Sequence, residues 1–250
     1  MGRFEGKVAV VTGAGSGIGQ ATAVRFGTEG ATVACLDIAE DEAQKTAARI
    51  AESGGTALAI RVNVADKPSV VEAMATVVSE AGQPYVLCNI AGIGKFAASH
   101  EQPLEEWDRI IGVNLTGTFL MAQAALPHLM ETHGNIINTA SNAGLMGQKY
   151  SAAYCASKGG VVMLTKALSN EYIDKGVRVN AVAPGGVDTN IQKSFYELPE
   201  GADTKFFRKI MSPMGMADPA DLASLFVYIA SDEARFMTGS IVTMDGGLTS

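Results

Sequence analysis

The chain of 250 residues is 47% hydrophobic and 18% charged, which is long and apolar enough to bury one sizeable core and argues against disorder. Its formal net charge of −7 excludes a broad nucleic-acid surface, because phosphate binding needs clustered Lys and Arg that are missing here. Small-molecule chemistry in a single domain spanning residues 1–250 is the expectation.

From the N-terminus, short β-branched runs alternate with longer helical patterns. "VAVVTG" precedes "IGQATAVRFGTEG", "TVACLD" precedes "EDEAQKTAARIAESGG", and "TALAIRV" follows. Further strand candidates are "YVLCNI", "NIINTAS", "VRVNAVAP" and "SIVTMDGG". Most of these runs are apolar without alternation, as strands covered by helices on both faces should be. The fold class is therefore α/β: one doubly wound, Rossmann-type domain, its central parallel sheet of about seven strands flanked by helices on both faces. Gly30, Gly54, Gly82, Gly134 and Gly176 stand where helical patterns stop, and are expected to cap helix C-termini. Residues 188–217 escape the alternation and form an insertion on the substrate side.

The uncharged run "IIGVNLTGTFLMAQAALPHLM" (110–130) is apolar enough to suggest a membrane span. Asn114, Gln123 and Pro127 favour instead a helix buried in protein. No secretory signal or myristoylation pattern is read from "MGRFEGKVAVVTG". Cys35, Cys88 and Cys155 are too scattered for a disulfide framework or a metal site, so no metal is expected and the reducing cytoplasm is the expected compartment.

At the turn from the first strand into the first helix, "VVTGAGSGIGQA" places Gly13, Gly17 and Gly19. Glycines there let a pyrophosphate approach the free N–H groups of a helix N-terminus, although a tight turn that binds nothing would use the same residues. Asp37 closes the second strand 18 residues after Gly19, where a carboxylate grips ribose hydroxyls and repels a 2′-phosphate; alternatively it caps the next helix. The expected cofactor is NAD. Tyr154 and Lys158 lie four residues apart in "YCASK", one helical turn, so that an ammonium can approach the phenol or share a partner with it. A cation nearby would lower a phenol pKa of about 10 and make the tyrosine a usable acid and base.

Six pieces in one order, "TGAGSGIG", "NIAG", "NLTG", "NTAS", "YCASK" and "PGGVDT", resemble the short-chain dehydrogenase/reductase family over essentially the whole chain. The terminal "MDGG" extends the likeness. The resemblance implies a hydride transfer between nicotinamide and a secondary alcohol or ketone. Tyr154 would be the general acid and base, Ser141 would hold the substrate oxygen, Lys158 would also hold the nicotinamide ribose, and Asn114 would help hold a relay water. It further implies that the dinucleotide contacts Ser16 and Ile18 in the glycine loop, then Asn63 and Val64, and Asn89, Ala91 and Gly92. Asn63 stands where the family usually has Asp. Pro184, Gly185, Val187 and Thr189 would flank the nicotinamide. A homotetramer is implied as well.

Alternatives are a 3-ketoacyl-thioester (acyl carrier protein) reductase and a dinucleotide-binding regulator without catalysis. Ser16, where the former group often carries a basic residue, and Asp37 point away from the first; intact Ser141, Tyr154 and Lys158 point away from the second. A serine hydrolase lacks its G-x-S-x-G elbow, and His100, His128 and His133 read as surface residues. The insertion carries Phe195, Tyr196, Leu198, Phe206, Phe207, Met211, Met214 and Met216. They read either as a lid over an apolar substrate or as packing against the protein itself or a second subunit. Lys205, Arg208 and Lys209 could meet an acidic substrate group, but they share the segment with Glu197, Glu200 and Asp203 and read as a solvated face.

Overall fold

The structure, a computed structural model, describes residues 2–189, 191, 195, 198–206 and 210–250. Tyr196, Glu197, Phe207, Arg208 and Lys209, named above, lie outside these residues.

The seven strands are β1 (Val8–Thr12), β2 (Thr32–Asp37), β3 (Thr56–Arg61), β4 (Pro84–Asn89), β5 (Asn135–Thr139), β6 (Arg178–Pro184) and β7 (Ile241–Met244). They pair in the order β3-β2-β1-β4-β5-β6-β7, and every pairing is parallel. Between them run α1 (Gly17–Thr28), α2 (Glu40–Glu52), α3 (Lys67–Glu80), α4 (Leu104–Ile111), α5 (Gly117–Thr132), α6 (Ala152–Tyr172) and α7 (Pro219–Ala230).

The unbroken apolar runs follow from two-sided burial. Along β1, Ala9 and Val11 enter a core shared with Phe26 of α1, Ile50 of α2 and Phe226 of α7. Val8 and Val10 enter a second core with Val77 of α3, Leu129 of α5 and Leu168 of α6. Successive side chains point to opposite faces, so both must be apolar when helices cover each face. Local signals fix the helix starts: Asp66 accepts the Ser69 N–H at 3.1 Å ahead of α3, and Asp218 accepts the Ala220 N–H at 2.8 Å ahead of α7. Pro68 and Pro219 fall in the first turns, where no hydrogen bond is lost.

Four of the five expected glycine caps take the left-handed conformation: Gly30, Gly54, Gly82 and Gly176 have φ of 88°, 81°, 99° and 76°. At α5 the expectation is off by one residue, since His133 (φ 49°) is the left-handed cap. Gly134 serves otherwise: a Cβ there would run into the Tyr85 carbonyl oxygen as the chain enters β5.

The apolar run predicted near 110–130 belongs to one helical stretch, Leu104–Thr132, which by length and composition could cross a membrane. Here it packs within the fold, with Met121, Ala122, Ala125 and Leu129 of α5 fully buried in the second core. A π-helical turn, Gly112–Thr116, interrupts it and carries Asn114 inward.

Candidate active site

The strand order reverses direction between β1 and β4, and the C-terminal ends of these neighbours open a crevice. Thr12 at the end of β1 holds it in shape, its Oγ1 accepting the N–H groups of Ile90 (3.0 Å) and Ala91 (3.1 Å). The crevice widens into a cavity of about 1000 Å³ that reaches from the glycine loop to the insertion. All the sequence-predicted site residues line it except Asn89 and Asn114.

At one end lies the glycine loop. Gly13 (φ 68°) and Gly17 (φ 51°) adopt conformations that favour glycine, and a Cβ on Gly19 would collide with the Gly13 carbonyl. The loop is braced from behind: Thr46 of α2 donates to the Ala14 carbonyl at 2.8 Å. Ser16, the N-cap of α1, makes no side-chain cap bond, and the first turn holds no acidic residue. The N-terminus of α1 therefore keeps its donors and its positive field for an anion.

Asp37 braces backbone on two sides without being the cap of α2, whose N-cap is Ala39. Asp37 Oδ1 accepts the Ala39 N–H (2.9 Å), while Oδ2 accepts the Gly15 N–H (2.8 Å) across the cavity mouth. A Cβ on Gly15 would sit 2.9 Å from that Oδ2, so Gly15 is required for the approach. Glu40, Asp41 and Glu42 in the first turn of α2 deepen the negative field beside Asp37. On the next wall, Asn63 turns its Oδ1 to the Ala65 N–H (3.1 Å) and Val64 lines the cavity beside it.

Asn89 is placed otherwise than expected. Its side chain lies inside the second layer, with Nδ2 donating to Asn138 Oδ1 at 2.9 Å and to the Thr118 carbonyl at 3.4 Å. The pleat decides this: Cys88 faces the first core, so the next residue faces the other. Ile90, Ala91 and Gly92, beyond the strand end, line the cavity instead.

At the far end α6 presents Tyr154 and Lys158. Lys158 is buried and donates to the Thr139 carbonyl at 2.7 Å, and burial brings its ammonium down to about 8. Burial pushes the Tyr154 phenol up to about 12, opposed by a hydrogen bond with Ser141. The expected depression of the phenol by a touching ammonium is thus not found. Lys158 Nζ stands 5.8 Å from the centre of the Tyr154 ring, and spends its near hydrogen bond on the strand. Helical spacing brings the pair to one wall without a hydrogen bond between them. Ser141, at the end of the β5 segment, accepts the Ala143 N–H (3.1 Å) and donates to Asn142 Oδ1 (3.0 Å).

Asn114 shows the backbone-bracing geometry. Its Oδ1 accepts the Ile93 N–H (2.8 Å), and Nδ2 donates to the Ile93 carbonyl (2.8 Å) and to Ser157 Oγ (3.0 Å). A Cβ on Gly92 would stand 3.4 Å from Asn114 Oδ1 and 3.5 Å from Lys158 Nζ, so glycine keeps open the space between them.

A family model described as enoyl-(acyl carrier protein) reductase matches residues 13–249. Meso-2,3-butanediol dehydrogenase of Serratia marcescens is 39% identical over 99% of this chain and 96% of its own. The chain belongs to the short-chain dehydrogenase/reductases. Among solved structures, a short-chain type dehydrogenase/reductase from Mycobacterium marinum superposes with TM-score 0.91 at 36% identity, covering 98% of this chain and 96% of that one. A 3-ketoacyl-(acyl-carrier-protein) reductase from Brucella melitensis complexed with NADH gives 0.89 at 35%, covering 99% and 100%. The protein is an oxidoreductase of this family acting on CH–OH groups.

In this short-chain dehydrogenase/reductase the insertion contributes to the substrate wall. Part of the insertion packs on the protein itself: Phe206 is buried and meets Phe96 (5.7 Å between ring centres) and Tyr150 (5.3 Å). Part of it faces the cavity, where Phe195 stands 4.9 Å from Phe96 and 5.3 Å from the Tyr154 ring. Met211 and Met216 also line the cavity yet remain exposed, so the insertion contributes both to self-packing and to the cavity wall. Lys205 and Glu200 are exposed, as a solvated face requires. Sequence reasoning did not single out Thr12, Gly15, Ser157, Asn142 or Gln148. The first two lie in the quoted glycine motif and the third in the Tyr–Lys motif; the last two carry no motif.

Proposed function

We propose that this enzyme uses NAD(H) to interconvert secondary alcohols and ketones. The observation that carries the reading is one cavity bounded by a cation-poor, Asp37-marked mouth and, at the other end, by Ser141, Tyr154 and Lys158. The site fits a dinucleotide: the uncapped N-terminus of α1 and the glycine cradle suit a pyrophosphate, and the Asp37 carboxylate suits a ribose diol. A 2′-phosphate would meet Asp37 and the acidic first turn of α2, which supports NAD over NADP.

Asn63, Val64, Ala91 and Gly92 would border the adenosine half, and Pro184, Gly185, Val187 and Thr189 the nicotinamide. When bound, the cofactor supplies the hydride or takes it up. Tyr154, neutral at pH 7 because burial holds its phenol at about 12, donates its proton to the carbonyl oxygen in reduction and recovers it in oxidation. Ser141 sets the direction of that oxygen. Lys158, charged below about 8, favours the phenolate that this transfer creates. Asn114 fixes Ile93 and Ser157 and leaves, beside Gly92, a space suited to a relay water.

The second reading, a ketoacyl-thioester reductase, draws support from the Brucella melitensis structure named above. A cofactor-linked absorbance screen of alcohols, ketones and ketoacyl thioesters, run with NAD(H) and NADP(H), separates the two. Higher efficiency with NADH on simple ketones is expected; preference for NADPH with thioesters would reverse the assignment. Exposed Leu104, Phe119 and Met163 on α4, α5 and α6 support a homotetramer, which light scattering tests, and a monomer would refute it. The three free cysteines support a reducing, cytoplasmic setting.

A further inference from the structure

The substrate end of the cavity holds polar groups that proton and hydride transfer do not require. Asn142 follows Ser141 directly, and its Oδ1 accepts two hydrogen bonds, from Ser141 Oγ at 3.0 Å and from Gln148 Nε2 at 3.3 Å. An amide oxygen has two lone pairs, so it is filled. Asn142 Nδ2, a donor, and Gln148 Oε1, an acceptor, then remain without a hydrogen bond among the described residues. Both residues line the cavity, and neither atom is among the buried polar atoms left without a partner.

We propose that Asn142 and Gln148 form a second anchor for the substrate, one that binds a hydroxyl on the carbon next to the reacting one. The preferred substrates are then vicinal diols and α-hydroxy ketones. This rests on the alcohol–ketone reading above.

The chemistry of the pair selects a hydroxyl over other groups. A hydroxyl both donates and accepts, and so meets Gln148 Oε1 and Asn142 Nδ2 together. A carboxylate would satisfy only the donor and face an amide oxygen; an ammonium would satisfy only the acceptor. Of the cations among the described lining residues, Arg109 is paired with Glu106 at 2.7 Å, and Lys158 is buried on the Tyr154 wall where its charge serves proton transfer, so neither is left for an anionic substrate group. Spacing is compatible with this: Ser141 Oγ lies 3.0 Å from Asn142 Oδ1, and Nδ2 sits on the same amide, so Ser141 and Nδ2 can reach oxygens on neighbouring carbons, which lie about one hydrogen-bond length apart. The remaining wall, Phe96, Phe195, Met211 and Met216, suits an apolar skeleton.

The test compares three ketone pairs with NADH: butan-2-one and 3-hydroxybutan-2-one, cyclohexanone and 2-hydroxycyclohexanone, and propiophenone and 2-hydroxy-1-phenylpropan-1-one. Each is measured with the wild type and with Gln148→Met, which keeps the length of the side chain and removes its amide. For at least one skeleton, the wild type should favour the hydroxylated member about tenfold or more in kcat/KM, the range expected when a buried polar pair is satisfied rather than orphaned. In Gln148→Met that ratio should fall to within about threefold of one. The ratio is the readout because a folding defect lowers both members of a pair together. Equal efficiency in the wild type, or a preference that survives in Gln148→Met, overturns the anchor while leaving the alcohol–ketone reading intact. Failure of the wild type to reduce any of the six ketones removes that reading and the anchor with it.

Discussion

The two ends of the cavity are built on different principles. At the cofactor end nearly every contact is a directional bond to backbone: Thr12 to Ile90 and Ala91, Thr46 to Ala14, Asp37 to Gly15 and Ala39. At the substrate end the wall is a cluster of rings, Phe96, Phe195, Phe206 and Tyr150, with half-open methionines at its rim. Backbone geometry tolerates few residues at each position and so leaves a short, ordered motif. Ring packing is non-directional and tolerates many solutions, so it leaves only an apolar composition. Substitutions at the cofactor end should therefore alter one defined step, and those at the substrate end should change degree.

The largest effect is expected where the two ends meet. Lys158→Met should lower turnover by roughly a thousandfold or more and weaken NADH binding, measured by steady-state kinetics and fluorescence titration. The same variant should be no less stable at pH 7. Burial lowers the folded-state pKa of Lys158 to about 8 from 10.5, so the charged form carries a folding penalty below pH 8 that is relieved as pH rises from about 8 to 10.5. Removing the ammonium should raise stability at pH 7 by roughly 1–3 kcal/mol, offset in part by the lost bond to Thr139. Denaturant titration across pH checks this, and a large destabilisation would refute it.

At the cofactor end, Asp37→Arg should move the NADPH-to-NADH ratio of kcat/KM upward by about a hundredfold, because a repelling charge becomes an attracting one. An unchanged ratio would mean that Asp37 serves only Gly15 and Ala39. A smaller effect follows from acidity: ketone reduction should be level up to about pH 7.5 and then fall, about tenfold per unit above pH 8, as Lys158 loses its proton. The smallest belongs to the substrate wall. Phe195→Ala should raise KM for apolar ketones by about three- to tenfold with little change in kcat, since it removes area that serves substrate and transition state alike. A loss mainly in kcat would show that this ring positions Tyr154.

The same contrast explains what could be read from the sequence. Central strands such as β1 were legible because two-sided burial writes itself as unbroken apolar runs, with Ala9 and Val11 serving one core and Val8 and Val10 the other; the edge strands β3 and β7, less buried, were legible from their place in the alternation. That the glycine loop, Asp37 and the Ser–Tyr–Lys set meet at one cavity was legible because each stands at a strand end or a helix face with fixed spacing. Asn89 was misplaced because the pleat, and not the end of the strand, decides which layer a side chain enters. The cap at His133 was missed because glycine beside a helix end marks either a left-handed turn or a close approach, and Gly134 provides the second. Neither the left-handed Tyr150 (φ 62°) nor its bond from the Asp203 N–H at 3.1 Å had any signature, because both depend on contacts made across the fold.

The central claim is that the cofactor end binds on its own terms while one phenol at the substrate end moves the proton. Tyr154→Phe tests it most directly, with NADH affinity and ketone turnover measured on the same preparation. Affinity should remain within about tenfold of wild type while turnover falls more than about a hundredfold. Retained turnover, or a loss explained entirely by failure to bind NADH, would contradict the account.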